Sequence, residues 1–172
     1  MRSVAWADEG VALDIVGGLK YAGWERTALG MGARMSRLPW PRDVLDERSA
    51  LVPVPLSTVR ERERGFNQSA RLACAIAPRW NIPVWQRALV RTRATPSQTR
   101  LTPADRLRNV AGAFSVPPAA REVLVGAHVI LVDDVVTTAA TLNACAAALM
   151  AGGARIVSYV TFARARTERD RR

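Results

Sequence analysis

An α/β fold, with a mostly parallel twisted sheet flanked by helices, is predicted by three features of the sequence. Short β-rich apolar runs alternate with segments of helical periodicity, the pattern of strands joined by crossover helices. The run Val129 to Val132 is continuously apolar, as a strand buried on both faces requires. It ends in two adjacent carboxylates, Asp133 and Asp134, and then a turn of threonines and alanines. The carboxyl ends of parallel strands are where such sheets place their ligands.

Between Val11 and Leu38 the apolar residues fall at helical spacing, with Ala28, Met31, Met35 and Leu38 on one stripe. Two short helices joined near Tyr21 to Gly23 are expected there. Pro39 and Pro41 close the second, and the polar stretch Arg42 to Ser49 leads into a buried strand at Ala50 to Leu56. An arginine-dense loop, Arg60 to Gly65, follows. A helical pattern then runs from Phe66 to Ala77, where Pro78 is expected to end it. Ile82 to Val90 and Val110 to Val116 read as strands joined by the long polar segment Arg91 to Asn109. Loops of that length are more often lids or binding elements than accidents. After the Val129 strand, Leu142, Cys145, Ala146 and Leu149 share a helical face, Gly152 and Gly153 cap that helix, and Arg155 to Phe162 forms the last strand.

The 172 residues suit one domain with a single core, and 49% hydrophobic with 23% charged residues is an ordinary globular balance. The net charge of +10 is carried almost wholly by arginine, since Lys20 is the only lysine. Arginine offers a rigid fork of donors that matches phosphate oxygens in pairs, so polyanionic partners are favoured, although a coding bias toward arginine would give the same count. Cys74 and Cys145 each fall in an expected helix, which gives no support to a disulfide framework or a cysteine zinc site. Apolar runs are too short to cross a bilayer, and the start of the chain lacks a signal-peptide pattern. A cytoplasmic protein without a membrane partner is expected, and a homodimer is compatible with the sequence.

Two carboxylates at a strand end repel one another unless hydroxyls or a metal-bearing ligand partner them. The turn Thr137, Thr138, Ala139, Ala140 and Thr141 opens a helix and so gathers backbone N–H groups, hydroxyls and the positive end of the helix dipole, which suits a phosphate monoester. A pentose spans the two, with its hydroxyls on Asp133 and Asp134 and its 5-phosphate in the turn.

This segment, Val135 included, strongly resembles the signature of type I phosphoribosyltransferases that binds phosphoribosyl pyrophosphate (PRPP). It departs at Ala139, where that family usually has glycine; if the turn needs positive φ, alanine costs on the order of 1 kcal/mol. Leu51 to Leu56 with Arg60 to Gln68, Arg91 to Gln98, and Arg106 to Phe114 resemble, in order, blocks of the competence protein F (ComF) family. A weaker likeness lies at Leu19, Lys20, Tyr21 and Gly23. The zinc ribbon of paired cysteines found in many members has no counterpart in these residues, so no zinc is expected.

The resemblance implies a type I phosphoribosyltransferase-like fold, with a helical hood over residues 1–45 and a core over 46–163, while the charge run over 164–172 reads as a disordered basic tail. It implies that Arg60, Arg62 and Arg64 face the leaving pyrophosphate as catalytic groups alongside Asp133 and Asp134, with Asn67 and Gln68 adding neutral hydrogen bonds. The alternative for the arginines is a surface turn paired with Glu61 and Glu63. Arg91, Arg93, Thr95 and Gln98 would belong to a loop that closes over the substrate, Arg106 and Asn109 would hold its hairpin, and Lys20 with Tyr21 would lie in the hood beside the acceptor. Mg²⁺ would arrive on PRPP oxygens near Asp133 and Asp134. The five tryptophans are spread across elements and read as core or surface aromatics rather than a base-stacking platform. A second implied role is non-catalytic handling of single-stranded DNA with competence-machinery proteins.

Overall fold

A computed structural model of the chain describes residues 1–7, 10–21, 26–93, 110 and 112–166. Thr95, Gln98, Arg106 and Asn109 lie outside them. Four strands form one wholly parallel sheet in the order β1 (Arg2–Trp6), β6 (Ile156–Arg164), β5 (His128–Val136) and β2 (Arg48–Pro53). The α/β class read from the sequence is the observed one. Strand β5 lies between β6 and β2, and Val129 to Val132 are all fully buried.

The alternation along β5 divides the core in two. Val129 and Leu131 pack with Leu142, Cys145 and Leu149 of α7 (Ala140–Ala151) on one face. Ile130 and Val132 pack on the other against α1 (Gly10–Tyr21), α2 (Thr27–Met35) and α5 (Gln68–Trp80). The α2 stripe is buried through Ala28, Met31, Gly32 and Met35. Gly32 permits close approach to α5, because a Cβ there would stand 2.5 Å from that of Ala75.

Several local expectations are corrected. Strand β1 was not anticipated; it pairs with β6 at the sheet edge, Trp6 opposite Arg164. Arg42 to Glu47 forms a short helix, α3, ahead of β2. Arg60 to Gly65 is no loop: Thr58–Arg64 is helix α4, with Ser57 as N-cap and Gly65, at φ 78°, as its left-handed C-cap. Pro78 does not close α5, which runs to Trp80 and ends at Asn81 in the left-handed region. A proline in the last turn removes only one intrahelical bond, and the burial of Ile76 and Trp80 outweighs it. Trp80 also donates from Nε1 to the Ser36 carbonyl at 3.0 Å.

Between Ile82 and Val90 no long strand forms; Val84 makes a single bridge to Leu51, and Val90–Arg91 (β3) pairs antiparallel with Phe114–Ser115 (β4). Helix α6 spans Pro118–Leu124. Strand β6 continues to Arg164, so the start of the segment read as a disordered tail belongs to the sheet.

Candidate functional site

Strand β5 carries the acid pair to the carboxyl edge of the sheet, and there the two side chains part. Asp133 is partly buried, and its Oδ1 accepts hydrogen bonds from Ser69 Oγ at 2.9 Å and from the Asp134 N–H at 2.9 Å. Asp134 is only 3% exposed. Its Oδ1 accepts from the Val135 N–H at 2.7 Å, and its Oδ2 forms an ion pair with Lys20 Nζ at 2.7 Å. Lys20 sits in the last turn of α1, and its ammonium faces an acid. Tyr21 ends the same helix.

A hollow of about 90 Å³ opens beside Asp133 and is lined by Val135 to Leu142. It brings Asp133 together with Val135, Thr137, Thr138, Ala139, Ala140 and Thr141, as the sequence pattern anticipated, whereas Asp134 is not among its lining residues. The first residues of α7 line this space, and the N–H groups of a helix's first turn lack intrahelical partners, a favourable setting for an anion. Ala139 is the N-cap and adopts φ 58°, ψ 7°, the left-handed conformation that favours glycine. The strain considered from the sequence is thus present in the turn. Burial first, and the neighbouring Asp134 second, push the Asp133 carboxyl up to about 7, against the opposing pull of Ser69 and Lys20.

Helix α4 sorts the three arginines. Arg60 and Arg64 are four residues apart and share a face, while Arg62, roughly 200° around the axis from Arg60, projects elsewhere and is exposed. Arg64 Nη1 donates to Gln68 Oε1 at 3.0 Å. Arg91 of β3 lies with its Cζ 5.4 Å from the Phe114 ring centroid. Burial lowers its pKa, and the nearby Arg60 lowers it further, so these two cations are electrostatic neighbours. Burial first, and the charge of Asp133 second, push the Cys145 thiol of α7 up, against the pull of Arg91. Arg93 ends the described part of that segment.

Asn67 and Gln68 hold structure together. Asn67 caps α5 by accepting from the Ser69 N–H at 2.9 Å and donates from Nδ2 to the Val54 carbonyl at 3.0 Å. Gln68 is 5% exposed and takes the Arg64 bond.

Two features escaped the sequence reading. Ser69 has no sequence signal linking it to Asp133, 64 positions away. Trp6, set aside as a core or surface aromatic, lies under two guanidinium groups, with Arg164 Cζ 4.1 Å and Arg166 Cζ 5.2 Å from its ring centroid. Arg164 is in register both with Trp6 and with Val136, a lining residue of the hollow. The alternation of arginine and alanine from Phe162 to Arg166 was the available signal.

A parallel sheet with an acid and a threonine turn at its carboxyl edge defines a phosphoribosyltransferase-type domain. The phosphoribosyl transferase domain family matches residues 67–172, and the chain belongs to that family. Its relatives bear out the ComF resemblance. It is 41% identical over 108 residues to DNA utilization protein YhgH of Escherichia coli K12, covering 62% of this chain and 45% of that protein. It is 37% identical over 94 residues to competence protein F of Haemophilus influenzae, covering 55% and 41%. To competence protein ComFC of Bacillus subtilis it is 36% identical over 121 residues, covering 69% and 46%. The chain spans about half the length of the curated relatives it matches. Among solved structures, a glutamine PRPP amidotransferase from B. subtilis aligns with TM-score 0.49 and 21% identity, over 78% of this chain and 25% of that one. Among the described residues no helix is long and apolar enough to cross a membrane.

Proposed function

We propose that this chain binds PRPP at the Asp133 hollow and transfers or senses its phosphoribosyl group. The observation that carries this reading is the meeting of one carboxylate, a hydroxyl-bearing turn and the start of α7 around a single small space. The 5-phosphate takes the turn from Thr137 to Thr141, where backbone N–H groups and the helix dipole favour it. The ribose hydroxyls donate to Asp133. Asp134, engaged with Lys20, acts by fixing α1 against the strand rather than by touching the sugar.

This reading assigns a departing pyrophosphate to Arg60 and Arg91, because two neighbouring cations present a concentrated positive field. Arg64 supports the start of α5, and Arg62 faces elsewhere. A nitrogen nucleophile would then take C1. No side chain is required as a general base, so orientation and electrostatics carry the chemistry.

The donor set fits Mg²⁺ brought by the ligand. Among the described residues no cluster of three or more His, Cys, Asp or Glu could cage a metal, and Asp133 offers one carboxylate beside the hollow. When bound, Mg²⁺ would neutralise pyrophosphate charge.

A second reading, single-stranded DNA handling, is favoured by Trp6 beneath Arg164 and Arg166. An aromatic ring with arginines on the ligand-bearing rim is the surface on which bases stack and phosphates pair. The names of the relatives, which concern DNA utilization and competence, point the same way.

Calorimetric titration of PRPP with Mg²⁺ tests the first reading. Wild-type chain should bind and Asp133→Asn should bind markedly more weakly; equal affinity for both removes Asp133 from the site.

A further inference from the structure

We propose that Ser69 is a positioning residue for this site: its hydroxyl orients the Asp133 carboxylate toward the hollow, and Asn67 fixes where that hydroxyl stands. The proposal rests on the PRPP reading.

The geometry is a closed circuit of hydrogen bonds. The Val54 N–H, just past β2, donates to the Val132 carbonyl at 3.0 Å. The Val54 carbonyl accepts from Asn67 Nδ2, Asn67 Oδ1 accepts from the Ser69 N–H, and Ser69 Oγ donates to Asp133 Oδ1, next to Val132. Two strand ends and one helix N-terminus are locked together. Among the described residues both bonds to the Asp133 carboxylate fall on Oδ1, and Asp133 lines the hollow. A carboxylate torsion is otherwise broad, so a second fixed donor decides its orientation. Ser69 is fully buried, so water cannot replace its hydroxyl at small cost. Gln68 extends the circuit to Arg64, so the acid and the arginine helix share one anchor at the start of α5.

The test is calorimetry of Mg²⁺ and PRPP on the full chain in wild type, Ser69→Ala, Ser69→Thr, Asp133→Asn and Ser69→Ala with Asp133→Asn. Loss of a hydrogen bond to a charged group predicts about tenfold weaker binding for Ser69→Ala. Ser69→Thr, which keeps the hydroxyl, should recover most of it. The double variant should bind no worse than Asp133→Asn, because Ser69 acts through that acid. Wild-type affinity in Ser69→Ala, or losses that add in the double variant, would overturn the proposal. Asn67→Asp keeps the helix cap but removes the donor to Val54. It should weaken binding several-fold, in line with loss of a single hydrogen bond, and decides the matter if Ser69→Ala melts below the assay temperature; unchanged affinity there also overturns the proposal. A wild-type chain that binds no PRPP sinks the parent reading and this one together, whereas a binding wild type with an indifferent Ser69 sinks this one alone.

Discussion

Lys20 Nζ stands 2.7 Å from Asp134 Oδ2, joining the last turn of α1 to the carboxyl end of β5 through a carboxylate that is almost wholly buried. Removing one partner of such a pair leaves an uncompensated charge and costs about 3–5 kcal/mol. The ammonium is about one-fifth exposed, which places Lys20→Met near the lower end of that range. Urea denaturation should show the loss. Replacing both residues with apolar ones of similar volume should recover much of it, and equal stability of wild type and Lys20→Met would show that the pair is inert.

Ala139 occupies the left-handed region without being glycine. Ala139→Gly should therefore stabilise the fold by up to about 1 kcal/mol, less the entropy that a glycine loses on folding. It should also tighten PRPP binding. A lower melting temperature together with weaker binding would mean that the alanine methyl makes a contact worth more than the strain.

The Asp133 carboxyl, raised from 3.8 to about 7, fixes the sign of two pH responses. In the folded chain it holds a proton that the unfolded chain releases, so stability falls as pH rises from about 4 to about 7 and is level above. Ligand affinity runs the opposite way, gaining as the carboxylate ionises through pH 7. Asp133→Asn should flatten the first response and abolish the second. A wild-type affinity independent of pH between 6 and 8 would contradict the assignment.

Arg166 is exposed, and its guanidinium covers Trp6. In fluorescence anisotropy with an oligothymidylate, Arg166→Ala should weaken binding and reduce the slope of log affinity against log salt by about 0.7, the contribution of one phosphate contact on a single strand. Absence of any salt dependence in wild type would remove the DNA reading.

How much of this was legible in the sequence follows from how far apart the partners lie along the chain. The β5 strand, the acid and the threonine turn are contiguous, so their chemistry could be read directly from Val129 to Thr141. Helix α4 could have been recognised: Ser57 is a good N-cap, Gly65 a good C-cap, and Arg and Glu favour helix between them, but the segment has no apolar face to announce it. The different partners of the two aspartates were hidden, because Lys20 lies 114 positions before Asp134 in the sequence and Ser69 lies 64 before Asp133. Asn67 and Gln68 read as ligand groups because polar side chains near a basic segment fit that role, and their partners, Arg64 for Gln68 and Val54 for Asn67, carry no signal in the sequence.

The pairing of Arg2–Trp6 with Ile156–Arg164 has a bearing on biosynthesis. Strand β1 has no β6 to pair with until a segment 158 positions further on has been made, so this outer seam of the sheet carries a large loop-closure cost. Until then its backbone donors and acceptors on that side are satisfied by water, and the Trp6 corner of the rim comes into being only when β6 arrives.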